Sequence, residues 1–200
     1  MEWKETQFYG QSFQDVDWQE EELSGLVFED CRFHGATLSG IITRNCQFIN
    51  CDFSFSRLDG SRHLRSGFLN CQFHGASLFS ASLEECKATG SSFSGATITG
   101  LSILGGNYSF TVWQSCCLKK MDIHGCSFNN ADLSEADLEK TNLSGCDLRH
   151  AVIQGANLRD ADLRGARIEG VDLKSARMKN THIDLEQAVI LAESLGARLS

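Results

Sequence analysis

Large apolar residues recur along this chain at every fifth position. Steps of five from Phe8 to Ile183 visit 36 centres, and only Thr43, His63 and Ala88 among them are not large and apolar. Neither a helix nor a flat strand has this period, since those elements repeat at 3.6 and 2.0 residues. Two residues before each centre the side chain is small. Ala, Cys, Ser, Thr, Val or Gly fills 30 of these 36 positions, the exceptions being Gln11, Glu21, Leu26, Ile41, Leu101 and Met121. Fifteen of the 18 glycines fall two residues after a centre, where a corner needs backbone angles that other residues rarely adopt. A fixed short period marks a solenoid, a one-dimensional stack in which each turn touches only its neighbours. The inward column is its core, and Phe128, Leu133, Leu138, Leu143, Leu148, Ile153, Leu158 and Leu163 form the most regular stretch of that ladder.

The register is strained in two zones. Arg62, His63, Leu64 and Arg65 put His at a centre and Leu outside it; around Asn107 and Tyr108, Leu104, Phe110 and Val112 place apolar side chains where polar ones are expected. Loops are the natural explanation, yet the register returns unshifted each time. Any insertion is therefore a multiple of five residues, or the coils run on with unusual side chains. Outward apolar residues clustered on a rod mark a contact surface, so both zones are candidate partner contacts or loops.

After Ile183 the period changes. Asp184 and Gln187 form a capping box, Leu185, Ala188, Val189, Ala192 and Leu195 recur at helical spacing, and Gly196 stands as a C-terminal cap. The chain thus divides into a solenoid over residues 1–184 and a helix with its tail over 185–200. Ile190 and Leu191 widen the apolar set beyond what one end of the rod covers. A twofold partner would remove the remainder, so Leu185, Ala188, Val189, Ala192 and Leu195 are the expected dimer contacts.

Composition changes the picture in three ways. Proline is absent, which suits coils that need every N–H for the turns above and below. Of nine cysteines, eight occupy the small inward position; Cys31, Cys51 and Cys71, 20 apart, stack at about the 4.8 Å coil spacing, too far for a disulfide. They read as buried free thiols in a reducing cytoplasm, with Cys117 the exposed one. The net charge is −8, with 11 acidic against 4 basic residues in 1–60; residues 1–30 alone hold Glu2, Glu5, Asp15, Asp17, Glu20, Glu21, Glu22, Glu29 and Asp30 against Lys4. No secretory or membrane-spanning stretch is visible. Nucleotide, phosphate-loop and metal motifs are missing, and the histidines are spaced too widely to share a metal, so no cofactor, metal or small-molecule substrate is expected and the chain reads as no enzyme. An acidic rod repels nucleic acid and suits a basic protein groove.

The copies AsnAlaAspLeuSer (130–134), GluAlaAspLeuGlu (135–139), GlyAlaAsnLeuArg (155–159) and AspAlaAspLeuArg (160–164) resemble the pentapeptide-repeat family pattern A(D/N)LXX. That resemblance implies an all-β, right-handed quadrilateral β-helix, here about nine coils with a short C-terminal α-helix. The ending from Thr181 to Gly196 and the segment from Cys86 to Ala96 are similar to the Qnr quinolone-resistance proteins. What this second resemblance implies is a cytoplasmic homodimer, joined at its C-terminal ends, that binds DNA gyrase and topoisomerase IV by DNA mimicry and confers antibiotic resistance. Some such proteins need projecting loops, from which this unbroken register differs. An immunity factor against a topoisomerase-directed peptide antibiotic and a generic scaffold with no topoisomerase partner are the alternatives.

Overall fold

The computed structural model describes residues 5–198. Glu2, Lys4 and the last two residues of the tail lie outside that range. The chain winds into a parallel β-solenoid with four faces, each face advancing 20 residues per turn. On the first face β1 (Gln7–Tyr9), β3 (Val27–Glu29), β5 (Gln47–Ile49) and β7 (Gly67–Leu69) pair in sequence. On the fourth, β2 (Glu22–Ser24), β4 (Ile42–Arg44), β6 (Arg62–Leu64), β8 (Ser82–Glu84) and β9 (Ser102–Leu104) do the same. The second and third faces pair through single bridges, such as Ser12 with Arg32 and Asp17 with Thr37.

Regular strand therefore spans only about five turns, although the sequence count is of nine coils. Past Leu104 the winding continues through single bridges, as far as Asp147 with Arg167 and Asp162 with His182. Turn chemistry makes the difference. On bridged faces the amide three residues after the centre folds back onto the centre's carbonyl, as Ala36 N–H does to Phe33 at 3.0 Å. On strand faces that turn bond is not made. On both kinds of face a thiol or hydroxyl one coil later also donates to a centre's carbonyl: Cys31 to Phe8 at 3.5 Å, Cys51 to Phe28 at 3.4 Å, Cys71 to Phe48 at 3.3 Å and Ser91 to Phe68 at 2.6 Å on the first face, and Cys116 to Phe93 at 3.4 Å and Cys146 to Ile123 at 3.0 Å on bridged ones. This explains why Cys and Ser interchange at the small position better than size alone does. All nine cysteines are free, and only Cys117 is exposed.

The centres face inward and stack on their counterparts 20 residues away. Phe8, Phe28, Phe48 and Phe68 lie 4.9, 5.1 and 5.0 Å apart, ring over ring, as do Phe33, Phe53, Phe73 and Phe93 at 4.8, 5.1 and 4.8 Å. The ladder from Phe128 to Leu163 is buried throughout. Left-handed backbone falls at the corner two residues after a centre, in glycines and also in Asn50, Asn70, Phe55 and Phe110. Bulky side chains there are costly, which marks Phe55 and Phe110 as residues kept despite strain.

α1 (Leu185–Ser194) closes the rod, its capping box made by Asp184 and Gln187. Gln187 is buried, and its Nε2 donates to the carbonyls of Leu163 and, at 2.8 Å, of Ala166. Ile190 and Leu191 pack on the end of the core. Asp184 also accepts the Gly165 amide at 2.7 Å, so one residue caps both helix and coil.

Candidate functional site

Projecting loops are not present at either irregular zone. Arg62, His63 and Leu64 pair in register with Ile42, Thr43 and Arg44, and Asn107 bridges both Lys87 and Ser127. The covalent register never slips, so the coils are continuous and carry unusual side chains.

Two residues of those zones are corrected from partner contact to core. His63 is 1% exposed and Tyr108 is 0% exposed, because both occupy centres and centres point inward whatever their chemistry. His63 Nδ1 meets Thr43 Oγ1 at 2.8 Å and Nε2 meets Ser61 Oγ at 2.9 Å, while Thr43 also donates to Ser66 at 2.9 Å. Burial pushes the His63 pKa down to about 3, so the ring is neutral. Tyr108 rests on the Phe128 ring at 5.4 Å and fills space above Ala88, the small centre 20 residues earlier.

The remaining zone residues do reach the surface, on different faces. Leu64 and Leu104 stack on the fourth face either side of Glu84, where with Arg65 and Glu85 they line a shallow groove of about 340 Å³. Leu104 is 53% exposed and Phe110 is 58% exposed, the latter at a corner of the first face. Arg62 and Arg65 are exposed; Asn107 and Val112 are half-buried, on the first and second faces.

A second surface went unread in the sequence. Between the turn carrying Ile98 and Ile103 and the next, the inter-coil ladder opens on the third and fourth faces together. The regular register would join the amides of Ile98, Gly100, Ile103 and Gly105 to the carbonyls of Cys117, Lys119, Asp122 and His124. It would also join those of Cys117 and Asp122 to Ala96 and Leu101. None of these six bonds forms, although the adjacent turns make theirs, as Leu78 does to Thr97 at 2.8 Å and Leu118 to Asp137 at 2.9 Å. The first and second faces stay joined, Ala88 to Asn107 and Phe93 to Val112, both at 2.8 Å. The result is an open groove of about 410 Å³.

The cause is legible in the register. Leu101 and Met121 occupy the small position on the corner between the two opened faces, directly above one another. Ser61, Ala81, Thr141 and Ala161 hold it in neighbouring turns. Two long side chains at about 4.8 Å spacing overfill a corner sized for alanine and prise the coils apart. Glu21 and Ile41 share that corner near the start of the rod. There the bond from Ile42 to the Glu21 carbonyl survives at 2.9 Å, a polar chain at an open end being able to turn toward water.

The late turns contain many arginines, but three of them are drawn into ion pairs with two carboxylates. Arg149 hydrogen-bonds Asp147 with Arg167 beside it, holding that carboxyl at about 2, and Arg164 does the same to Asp162. At the rod's end Leu185 and Leu195 are 80% and 67% exposed, while Ala188, Val189 and Ala192 are half-buried. Among the described residues no three His, Cys, Asp or Glu side chains converge as a metal site, and no helix is long and apolar enough to cross a membrane.

The structure is a parallel, four-sided β-solenoid whose candidate features are surface patches and one groove. The pentapeptide repeats family matches in eight copies over residues 27–62, 68–105, 118–149 and 141–180, and the chain belongs to that family. Among solved structures it is similar to trypsin-treated QnrB1 carrying R167E, a plasmid-mediated fluoroquinolone resistance protein, with 23% identity, a TM-score of 0.74 and 97% of each chain covered. Full-length QnrB1 gives 22% identity and a TM-score of 0.64 over 96% of this chain and 97% of that one. HetL, involved in heterocyst differentiation regulation in the cyanobacterium Nostoc, gives 21% identity and a TM-score of 0.56, covering 84% of this chain and 90% of its own. Among curated proteins, none matches the sequence.

Proposed function

We propose that this protein is a non-enzymatic binder of a type II topoisomerase, DNA gyrase or topoisomerase IV, and protects it from quinolone-type poisons. The observation that carries this reading is the extent of the likeness to QnrB1: it takes in 97% of both chains, terminal helix as well as rod. The acidic rod would stand in for a DNA segment in the enzyme's basic groove. Pairing of Asp147 and Asp162 with Arg149, Arg167 and Arg164 supports that reading, since two carboxylates offset two of those three positive charges. Two copies would join about a twofold axis through α1, covering the outward Leu185 and Leu195 with the same patch of the partner. The second reading, a scaffold with another partner, is favoured by the HetL likeness, because the same fold there serves differentiation.

Gyrase supercoiling with ciprofloxacin, with and without the protein, separates these readings. Restored supercoiling is expected. No effect at micromolar protein favours the scaffold, and rescue only from a peptide toxin makes the protein an immunity factor.

A further inference from the structure

The opened seam leaves two backbone edges facing each other across a groove. A row of unpaired N–H and C=O groups is a template for another strand, and here there are two such rows, one on each lip. The lower lip offers the amides of Ile98, Gly100, Ile103 and Gly105; the upper offers those of Cys117 and Asp122, with carbonyls between them. The floor is apolar, formed by Ile98, Leu101, Ile103 and Met121. Its volume of about 410 Å³ falls within the ~300–1,000 Å³ of binding clefts.

We propose that this seam is a docking site for an extended polypeptide segment of a partner protein, inserted as a strand between the two coils. Both edges of such a segment find partners, which an ordinary edge strand cannot offer. Alternate side chains of the segment face the apolar floor and the solvent, so its inward positions are small and aliphatic. Charge selects the outward positions. On the upper lip Lys119 is engaged by Glu139 at 2.7 Å and Asp122 by His124 at 2.9 Å, leaving Lys120 without a carboxylate partner among the described residues. An aspartate or glutamate of the segment fits there. A nucleic acid strand does not, having no N–H and C=O ladder to pair with both lips and, among the described residues lining the groove, only Lys120 as an unpaired cation to meet its phosphates. The proposal holds whatever partner the rod as a whole engages.

Amide hydrogen exchange on the intact protein tests it first. The amides of Ile98, Gly100, Ile103, Gly105, Cys117 and Asp122 should exchange about a hundredfold faster than those of Leu78, Leu118 and Ile123. An acetylated octapeptide alternating valine with threonine and aspartate should then slow and shift those six amides saturably. The same peptide N-methylated on alternate residues should not. The double variant Leu101→Ala/Met121→Thr should protect the six amides without peptide and weaken peptide binding at least tenfold. Seam amides already protected in the free wild type would overturn the proposal. So would equal binding of the N-methylated peptide, or no saturable shift up to about 1 mM.

Discussion

Acid should weaken this rod from its centre, through His63. Its ring is sealed between Thr43 and Ser61, packs edge-on against Phe68 at 5.0 Å, and has a pKa pushed down by burial to about 3. In the unfolded chain an imidazole titrates near 6.5. Between those values the unfolded state binds a proton that the folded state does not, so stability is complete above the unfolded pKa and falls as the pH drops through the window. Each pH unit inside it costs ~1.4 kcal/mol, giving about 2.7 kcal/mol lost by pH 4.5. That figure depends on the distance from 6.5 to 4.5, and so holds for any folded pKa well below 4.5. The depressed carboxyls of Asp147 and Asp162, each at about 2, lose their contribution only as the pH falls below their ordinary range near 3.8. Denaturant titrations at pH 7.5, 5.5 and 4.5 should therefore show a slope in the wild type that flattens in Ser61→Ala/His63→Leu. Pairing the two substitutions avoids leaving the Ser61 hydroxyl without a partner. Parallel pH slopes in both proteins would refute the neutral, buried assignment.

Four further outcomes follow from the same geometry. Leu138→Ala, 1% exposed and stacked between Leu118 and Leu158, should cost about 2–5 kcal/mol, whereas Asp137→Ala, losing its bond from Asn157, should cost about 1; equal midpoint shifts in a denaturant series would contradict the inward column. A maleimide should label one thiol of the folded protein, Cys117, and all nine after unfolding, as read by intact mass. Replacing Leu64, Leu104 and Phe110 with Ser should lower gyrase protection with the thermal midpoint nearly unchanged; full protection would clear these residues of contact. Val189→Glu/Ala192→Glu should halve the mass seen by light scattering, and a wild type already at 22.1 kDa would end the pairing proposal.

The inward column could be read from sequence because a period of five returns one large inward residue to each face, with a small buried one two residues before it. Its chemistry could not, since neither a turn bond nor its absence leaves a mark on polarity. Hence the strands appear only where the turn bond is missing, as from Leu23 to Leu26. His63 is polar, yet its place at a centre points it inward. The information that accounts for this is Thr43, 20 residues earlier in the same column, with Ser61 and Ser66 at the flanking corners. Gln187, read as a capping residue, also docks the helix; its position in the first turn after Asp184 carried only the first of those roles.

Departures from the repeat matter in pairs, because each coil meets only the coils above and below. Thr43 beneath His63 is polar on polar, and the two satisfy each other. Ala88 beneath Tyr108 is small beneath large, and the volumes compensate. Leu101 beneath Met121 is large on large at a corner built for small residues, with nothing to offset it, and that is where six ladder bonds are not made. A repeat this regular has little tolerance for such a conflict: shortening either side chain by substitution would close the coils. An uncompensated pair placed beside Lys120 and the exposed Cys117 therefore reads as a built opening, and positions 20 residues apart are where the sequence of a solenoid declares one.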